Sequence, residues 1–286
     1  MKIGMVLILS YMLTETDSAF VVKGKFRTAE LKSKFYKDKF NKCVLFPLAL
    51  MVFAFGIGVI VQKDLGSSLI LAAICFICFM STPRDYYKKY KKLVWIALAV
   101  AVIILGFLIT AVLQGYQLQR IDSWLKPLKI ENIYDSSWQL VNSLIAFTDG
   151  GIFGLGLGNS IQKYDYIPEA HNDFIGAIIY EELGIFGLAL MIIPTAIIIF
   201  RLLKYADQIQ NNKSRVILIG IASYFMLHLF VNLGGVSGLI PMTGVPLLLV
   251  SSGGSSTIAA LIAIGIAQAI ISKFNKEQLE KTDTQL

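Results

Sequence analysis

Charge is what this sequence has least of. Only 16% of its 286 residues are Asp, Glu, Lys or Arg, against 56% apolar, and a soluble domain of this length needs a more polar exterior to face water. Histidine is almost missing. His171 and His228 are too few and too far apart for a histidine-based zinc site, although carboxylates leave a Mg²⁺ or Mn²⁺ ion open. Cysteine is scarce too, and Cys75 and Cys78 form a C-x-x-C inside the apolar run AAICFICFM, where a thiolate is disfavoured. They read as packing rather than redox or metal chemistry. The net charge of +7 does not mark a nucleic-acid binder, because the basic residues fall in short blocks between apolar runs.

What is abundant is long apolar sequence. A bilayer core about 30 Å thick takes roughly 20 residues of helix. Six runs come near that length: 43–62, 65–81, 93–113, 174–200, 216–234 and 246–272. Hydrocarbon offers no partner to a backbone N–H or C=O, so an open strand cannot cross it. The expected fold class is therefore all-α, a polytopic transmembrane helical bundle of six full spans forming a single integral membrane domain over 1–286. Ile3–Leu13 is apolar but too short to cross. It reads as a partial amino-terminal hydrophobic segment, the end of a helix whose beginning is missing, or as a short interfacial helix.

Lys and Arg are retained on the cytoplasmic side of short loops. They crowd into 23–42, 82–92, 201–215 and the tail 273–286, whereas the intervening loops hold only Lys63, Arg120, Lys126, Lys129 and Lys163. This pattern predicts a plasma-membrane protein with its amino-terminal region and tail in the cytoplasm. The long loop 114–173 then lies outside.

That outer loop is the acidic part of a basic chain, with Asp122, Glu131, Asp135, Asp149, Asp165, Glu169 and Asp173. Within it, SWQLVNSLIAF at 137–147 has the apolar spacing of an interfacial helix, or of one packed on the bundle. GGIFGLGLGNS at 150–160 fails G-x-G-x-x-G and follows no strand–helix unit, which argues against a nucleotide cradle. Its glycines suit a substrate-lining loop or close helix packing equally. In YIPEAHNDFIGAIIYEELG at 166–184, Asn172 or Asp173 is placed to cap the helix that follows, and Asp173 also sits where lipid meets water. Eight residues of straight helix would put Glu181 about 12 Å deeper, a costly depth for a carboxylate unless it works or ties the bundle together. Glu181 and Glu182 point about 100° apart, so they should have different partners. His228 and Asn232 share one helix face and read as a polar helix–helix contact. Ser251, Ser252, Gly253, Gly254, Ser255 and Ser256 interrupt the last run after Pro241 and Pro246, in a way that permits close packing, unwinding, or both.

Two stretches, GGIFGLGLGNSIQKYDYIPEAHNDFIGAIIYEELG at 150–184 and PMTGVPLLLVSSGGSS at 241–256, together resemble the SEDS family of shape, elongation, division and sporulation proteins, the RodA/FtsW group. QKDLG at 62–66 is similar to that family's Q-P-D-L-G. The resemblance implies a peptidoglycan glycosyltransferase that polymerises lipid II at the outer face of the membrane, with a class B penicillin-binding protein as transpeptidase partner. It also implies contact with membrane lipids and divisome proteins, and none with nucleic acid. Asp173 matches the family's outer-loop carboxylate and is the expected catalytic base. Glu169, His171, Glu181, Glu182, Asp64, Ser255 and Ser256 are the expected substrate-binding or site-orienting residues, with no metal ligand assigned and a divalent cation as the sole cofactor allowed. PEAHND leans toward the division branch, FtsW, over a role in cell shape. Departures from the pattern are Lys63 for the usual proline, Gly176 where an aromatic is common, and Leu248, Leu249 and Ser252 before GGSS; the family's amino-terminal third has no counterpart here. A flippase for the lipid-linked precursor, or an inactive scaffold for the transpeptidase, are the rival readings.

Overall fold

The computed structural model describes residues 1–14, 45–61, 64–82, 124–129, 137–168 and 170–283, and among these the regular structure is helical throughout. In chain order the helices are α1 (Lys2–Thr14), α2 (Phe46–Gly56) running into one π-helical turn at Ile57–Val61, α3 (Leu65–Ser81), α4 (Trp138–Gly150), α5 (Ile175–Gln208), α6 (Asn212–Val236) and α7 (Gly254–Asp283). Local chemistry sets several of their ends. Pro47 opens α2, where its missing N–H costs nothing. Asp64 caps α3 by accepting the Ser67 N–H at 2.9 Å. Thr82 is extended, as the residue before Pro83 must be, and stops α3 there.

Three helices among the described residues are long and apolar enough to cross a membrane: α5, α6 and α7. α2 and α3 match the expected runs 43–62 and 65–81 as shorter apolar helices. The expected run 93–113 lies outside the described residues.

The chain divides into two compact units. One comprises Met1–Pro83, Ile198–Tyr224 and Leu261–Leu286. In it α1 is buried along Val6, Leu9 and Leu13, and α3 along Ile74, Cys75 and Cys78. Gly220 of α6 is the meeting point, since a Cβ there would stand 2.5 Å from Val6 Cγ1 and 2.9 Å from Cys78 Sγ. Both α3 thiols are free and serve as packing volume.

The other unit comprises Arg84–Ile197 and Phe225–Ala260, and it departs from the expected spans in two places. First, α5 is broken at Gly184 (φ 59°, ψ −141°). The break is sharp, because a Cβ on Gly187 would come within 2.6 Å of the Ile179 carbonyl oxygen, whereas eight residues of straight helix rise about 12 Å. The run 174–200 is therefore two segments. Residues 175–183 are too short to cross and pack inward through Phe174 and Ile178 against Ile167 and Val236. Residues 185–208 rise about 36 Å and expose Phe186, Leu190, Ile193 and Ile197, the face expected toward lipid. Second, the run 246–272 becomes helical only at Gly254. Residues 237–253 are irregular, with Gly238, Gly244 and Leu249 at positive φ. Pro241 and Pro246 remove two backbone donors there, which disfavours helix across the segment.

The glycine-rich segment after α4 fills the break in α5. Ile185 N–H donates to the Ile152 carbonyl, while Leu155 and Gly156 N–H donate to the Glu181 and Glu182 carbonyls, all within 3.0 Å. Of the two uses its composition allowed, close packing is the one observed. A Cβ on Gly154 (φ 78°) would lie 2.2 Å from the Glu182 carbonyl oxygen, and one on Gly150 would lie 2.5 Å from that of Tyr180. Backbone cannot yield as a side-chain tip can. Gly154→Ala should therefore cost about 3 kcal/mol, read as a lower thermal midpoint of the purified protein, while Gly265→Ala, which meets nothing within 4 Å, should leave the midpoint unchanged or raise it.

Candidate active site

Asp173 closes the turn that precedes α5 and is half-buried. Three side chains fix the main chain around it. Asn232 of α6 donates through Nδ2 to the Asp173 carbonyl at 2.8 Å and, with its other hydrogen, to the Val245 carbonyl at 2.8 Å. Ser251 Oγ donates to the Asn172 carbonyl at 2.8 Å and accepts the Leu247 N–H at the same distance. Ser252 donates its hydroxyl to Asn172 Oδ1 at 2.5 Å and its N–H to the His171 carbonyl at 3.1 Å. The turn 171–173 and the irregular segment 245–252 are thereby tied into one wall. One turn back along α6, buried His228 lies 3.1 Å through Nδ1 from the Pro246 carbonyl, which can only accept, so Nδ1 carries the proton.

Gly244, at φ 67°, faces the catalytic candidate directly: a Cβ there would sit 3.4 Å from Asp173 Oδ2. Gly176 is also accounted for. A Cβ on it would already be 3.3 Å from Leu233 Cδ2, so a larger side chain there requires Leu233 to shift.

Glu181 is fully buried, and its carboxylate accepts Ser160 Oγ at 2.5 Å, the Ile161 N–H at 2.9 Å and, more loosely, the Gln162 N–H. Glu182 pairs with Lys163 Nζ at 2.8 Å and takes the Ser160 N–H at 3.4 Å. That hydrogen bond raises the Lys163 ammonium above its ordinary pKa. The donors differ, as expected, but come from one segment: residues 160–163 wrap across both carboxylates, and Ser160 touches Glu181 through Oγ and Glu182 through its N–H. With α5 broken just beyond them, neither lies halfway along a continuous span. His228 and Asn232 hold irregular backbone rather than a second helix, because the segment facing them has unwound.

The remaining sequence candidates are scattered. His171 is exposed and joins the wall through its carbonyl. Ser255 and Ser256 lie in the first turn of α7, with Ser256 Oγ donating to the Gly253 carbonyl at 2.8 Å. Asp64 belongs to the other unit, as the cap of α3. Glu169 lies outside the described residues. Among the described residues no three His, Cys, Asp or Glu side chains converge to hold a metal ion. Sequence reasoning missed Asn232, Ser251 and Ser252 as the residues that anchor the Asp173 turn; the one available signal was a buried-span Asn, which in lipid must find carbonyls or partners of its own.

Comparison with known proteins bears on the whole chain. The cell cycle protein family of FtsW, RodA and SpoVE matches residues 1–277. The probable peptidoglycan glycosyltransferase FtsW of Bacillus subtilis is 37% identical over 248 residues, 86% of this chain and 60% of that protein. The same-named protein of Coxiella burnetii is 34% identical over 230 residues, 79% of this chain and 59% of that one. Stage V sporulation protein E of Bacillus subtilis is 32% identical over 240 residues, covering 82% and 63%. The chain thus spans about 60% of the length of the curated relatives it matches. In fold it is similar to a chain of a peptidoglycan synthase complex (TM-score 0.62, 22% identity, 93% of this chain and 66% of that one). It is also similar to a mutant of the rod-shape-determining protein RodA of Thermus thermophilus (TM-score 0.53, 21% identity, 93% and 62%).

Removal of the Asn232 amide should leave two carbonyls without this donor, the buried one of Val245 and the half-buried one of Asp173. Asn232→Ala is expected to destabilise the purified protein by about 2–4 kcal/mol; an unchanged thermal midpoint would mean that the bridge is absent in solution.

Proposed function

Because the chain belongs to the cell cycle protein family of FtsW, RodA and SpoVE, we propose that it is a peptidoglycan glycosyltransferase that polymerises lipid II, with a class B penicillin-binding protein as transpeptidase partner. It is a plasma-membrane protein, and its basic segments lie in the cytoplasm, which puts Asp173 outside. The observation that carries this reading is the fixed Asp173 turn, with a carboxylate facing the one residue type, Gly244, that adds no side chain in front of it.

In the proposed step a sugar hydroxyl of one lipid II attacks the anomeric carbon of the growing strand. Asp173 accepts the hydroxyl proton, the new glycosidic C–O bond forms, and the bond to the diphosphate breaks with its electron pair leaving on the diphosphate. A single displacement of this kind inverts the carbon. The diphosphate is already a good leaving group, and the first turn of α7, with Ser255 and Ser256, is our candidate to receive its charge, because helix N–H groups and the positive end of a dipole favour anions. His171 and Glu169 would orient the acceptor. The fixed backbone matters because a base is effective only when held within hydrogen-bond reach of its proton.

Polymerisation is favoured over flipping of the precursor by the state of Glu181 and Glu182. Both are taken up by donors from 160–163, whereas a transport path needs carboxylates turned to the cargo.

Purified protein given lipid II and its transpeptidase partner should make glycan polymer, and Asp173→Asn should reduce the rate by about 10²–10⁴-fold with little change in thermal midpoint. Polymer formed equally by both proteins would remove Asp173 as the base. No polymer from either, with the transpeptidase still bound, would favour the scaffold.

A further inference from the structure

Residues 152–164 combine two properties that the proposed chemistry does not require, although the second also helps to close the break in α5. Most of their apolar side chains are turned outward: Ile152, Phe153, Leu157 and Ile161 are 64%, 79%, 76% and 52% exposed, beside one exposed amide, Asn159. Facing water, such a contiguous patch is unfavourable and marks a surface that something covers. Their backbone does the opposite. The N–H groups of Leu155 and Gly156 donate to the Glu181 and Glu182 carbonyls, those of Ser160 and Ile161 to the two carboxylates, and that of Lys163 to Ser160 Oγ. A loop in water has no need to turn its amides inward, since water satisfies them. A loop at the edge of hydrocarbon has to.

The patch also continues an apolar face. Exposed Ile185, Phe186 and Leu190 follow directly on the crossing half of α5, and the Phe153 and Phe186 rings pack with centroids 6.5 Å apart. At its rim stand Tyr164 and Tyr166, both exposed, of the residue type that settles at headgroup level. Lys163 and Glu182 neutralise each other there, which lowers the cost of bringing either near lipid.

We propose that residues 152–164 form a wedge inserted into the leaflet that the crossing half of α5 enters first, at the boundary between headgroups and acyl chains, with lipid as the occupant of this surface. The wedge has a consequence for the fold. Because its backbone hangs on Glu181 and Glu182, it anchors the inward-packed half of α5, which leads back to Asp173, at a set depth.

The test uses the full chain with Cys43, Cys75 and Cys78 replaced by alanine, in nanodiscs of phosphatidylethanolamine and phosphatidylglycerol. An environment-sensitive fluorophore is attached at Leu157→Cys, separately at Phe153→Cys, and at Gln210→Cys as an exposed reference between α5 and α6. Both wedge positions should emit to the blue of the reference. They should lose emission to lipids spin-labelled near the headgroup end of the acyl chain and resist aqueous iodide. Iodide quenching equal to that at position 210 would overturn the proposal, and so would protection from both quenchers, which would mean that protein covers the patch. A split result, one position lipid-quenched and the other in water, would overturn the wedge as a unit.

Discussion

A backbone that leaves the helix inside a membrane protein must find new partners for every peptide group it frees, and this constraint organises the described part of the second unit. The chain leaves the helix twice, at Gly184 and across 237–253. The groups freed at Gly184 are met by the backbone of 152–156, while polar side chains serve the irregular chain beside each break: Glu181 and Glu182 for residues 160–163, and His228, Asn232, Ser251 and Ser252 for 171–173 and 245–252. Carboxylates and amides that would be costly in a continuous apolar span are offset here by the donors and carbonyls they satisfy.

The same clamps make a site out of irregular chain. Loops are mobile by default, and a base on a mobile loop loses the positioning that its catalysis depends on. Asp173 stands on a turn whose preceding residues, His171 and Asn172, are bonded to Ser251 and Ser252, and Asn232 bridges the Asp173 and Val245 carbonyls with a single amide. Leu249 holds a positive φ nearby, a strain of about 1–3 kcal/mol that the surrounding hydrogen bonds must outweigh.

Fold class was legible in the sequence, because run length and scarcity of charge act residue by residue and need no tertiary knowledge. Family membership was legible in 150–184 and 241–256 for the same reason: the motifs are contiguous. The break at Gly184 was not, since glycine is common in transmembrane helices and only the approach of 152–156 forces this one out of helix. That single miss misplaced Glu181, whose depth was reckoned along a straight axis. The pairing of both glutamates with one loop was hidden likewise, because angular separation on a helix limits only partners that are themselves straight. For the last span, prolines and small residues announced irregularity, yet its extent to Gly254 depended on the His228 and Asn232 contacts, which no local signal reveals.

Amide hydrogen exchange in lipid nanodiscs tests the central claim most directly. If the irregular segments are clamped as described, the bonded N–H groups of Leu155, Gly156, Ser160 to Lys163, Leu247 and Ser252 exchange orders of magnitude more slowly than free loop amides and approach the rates of the helices they border. Exchange at these groups as fast as in an unstructured peptide would show that no clamp holds them, and that Asp173 stands on an unfixed turn.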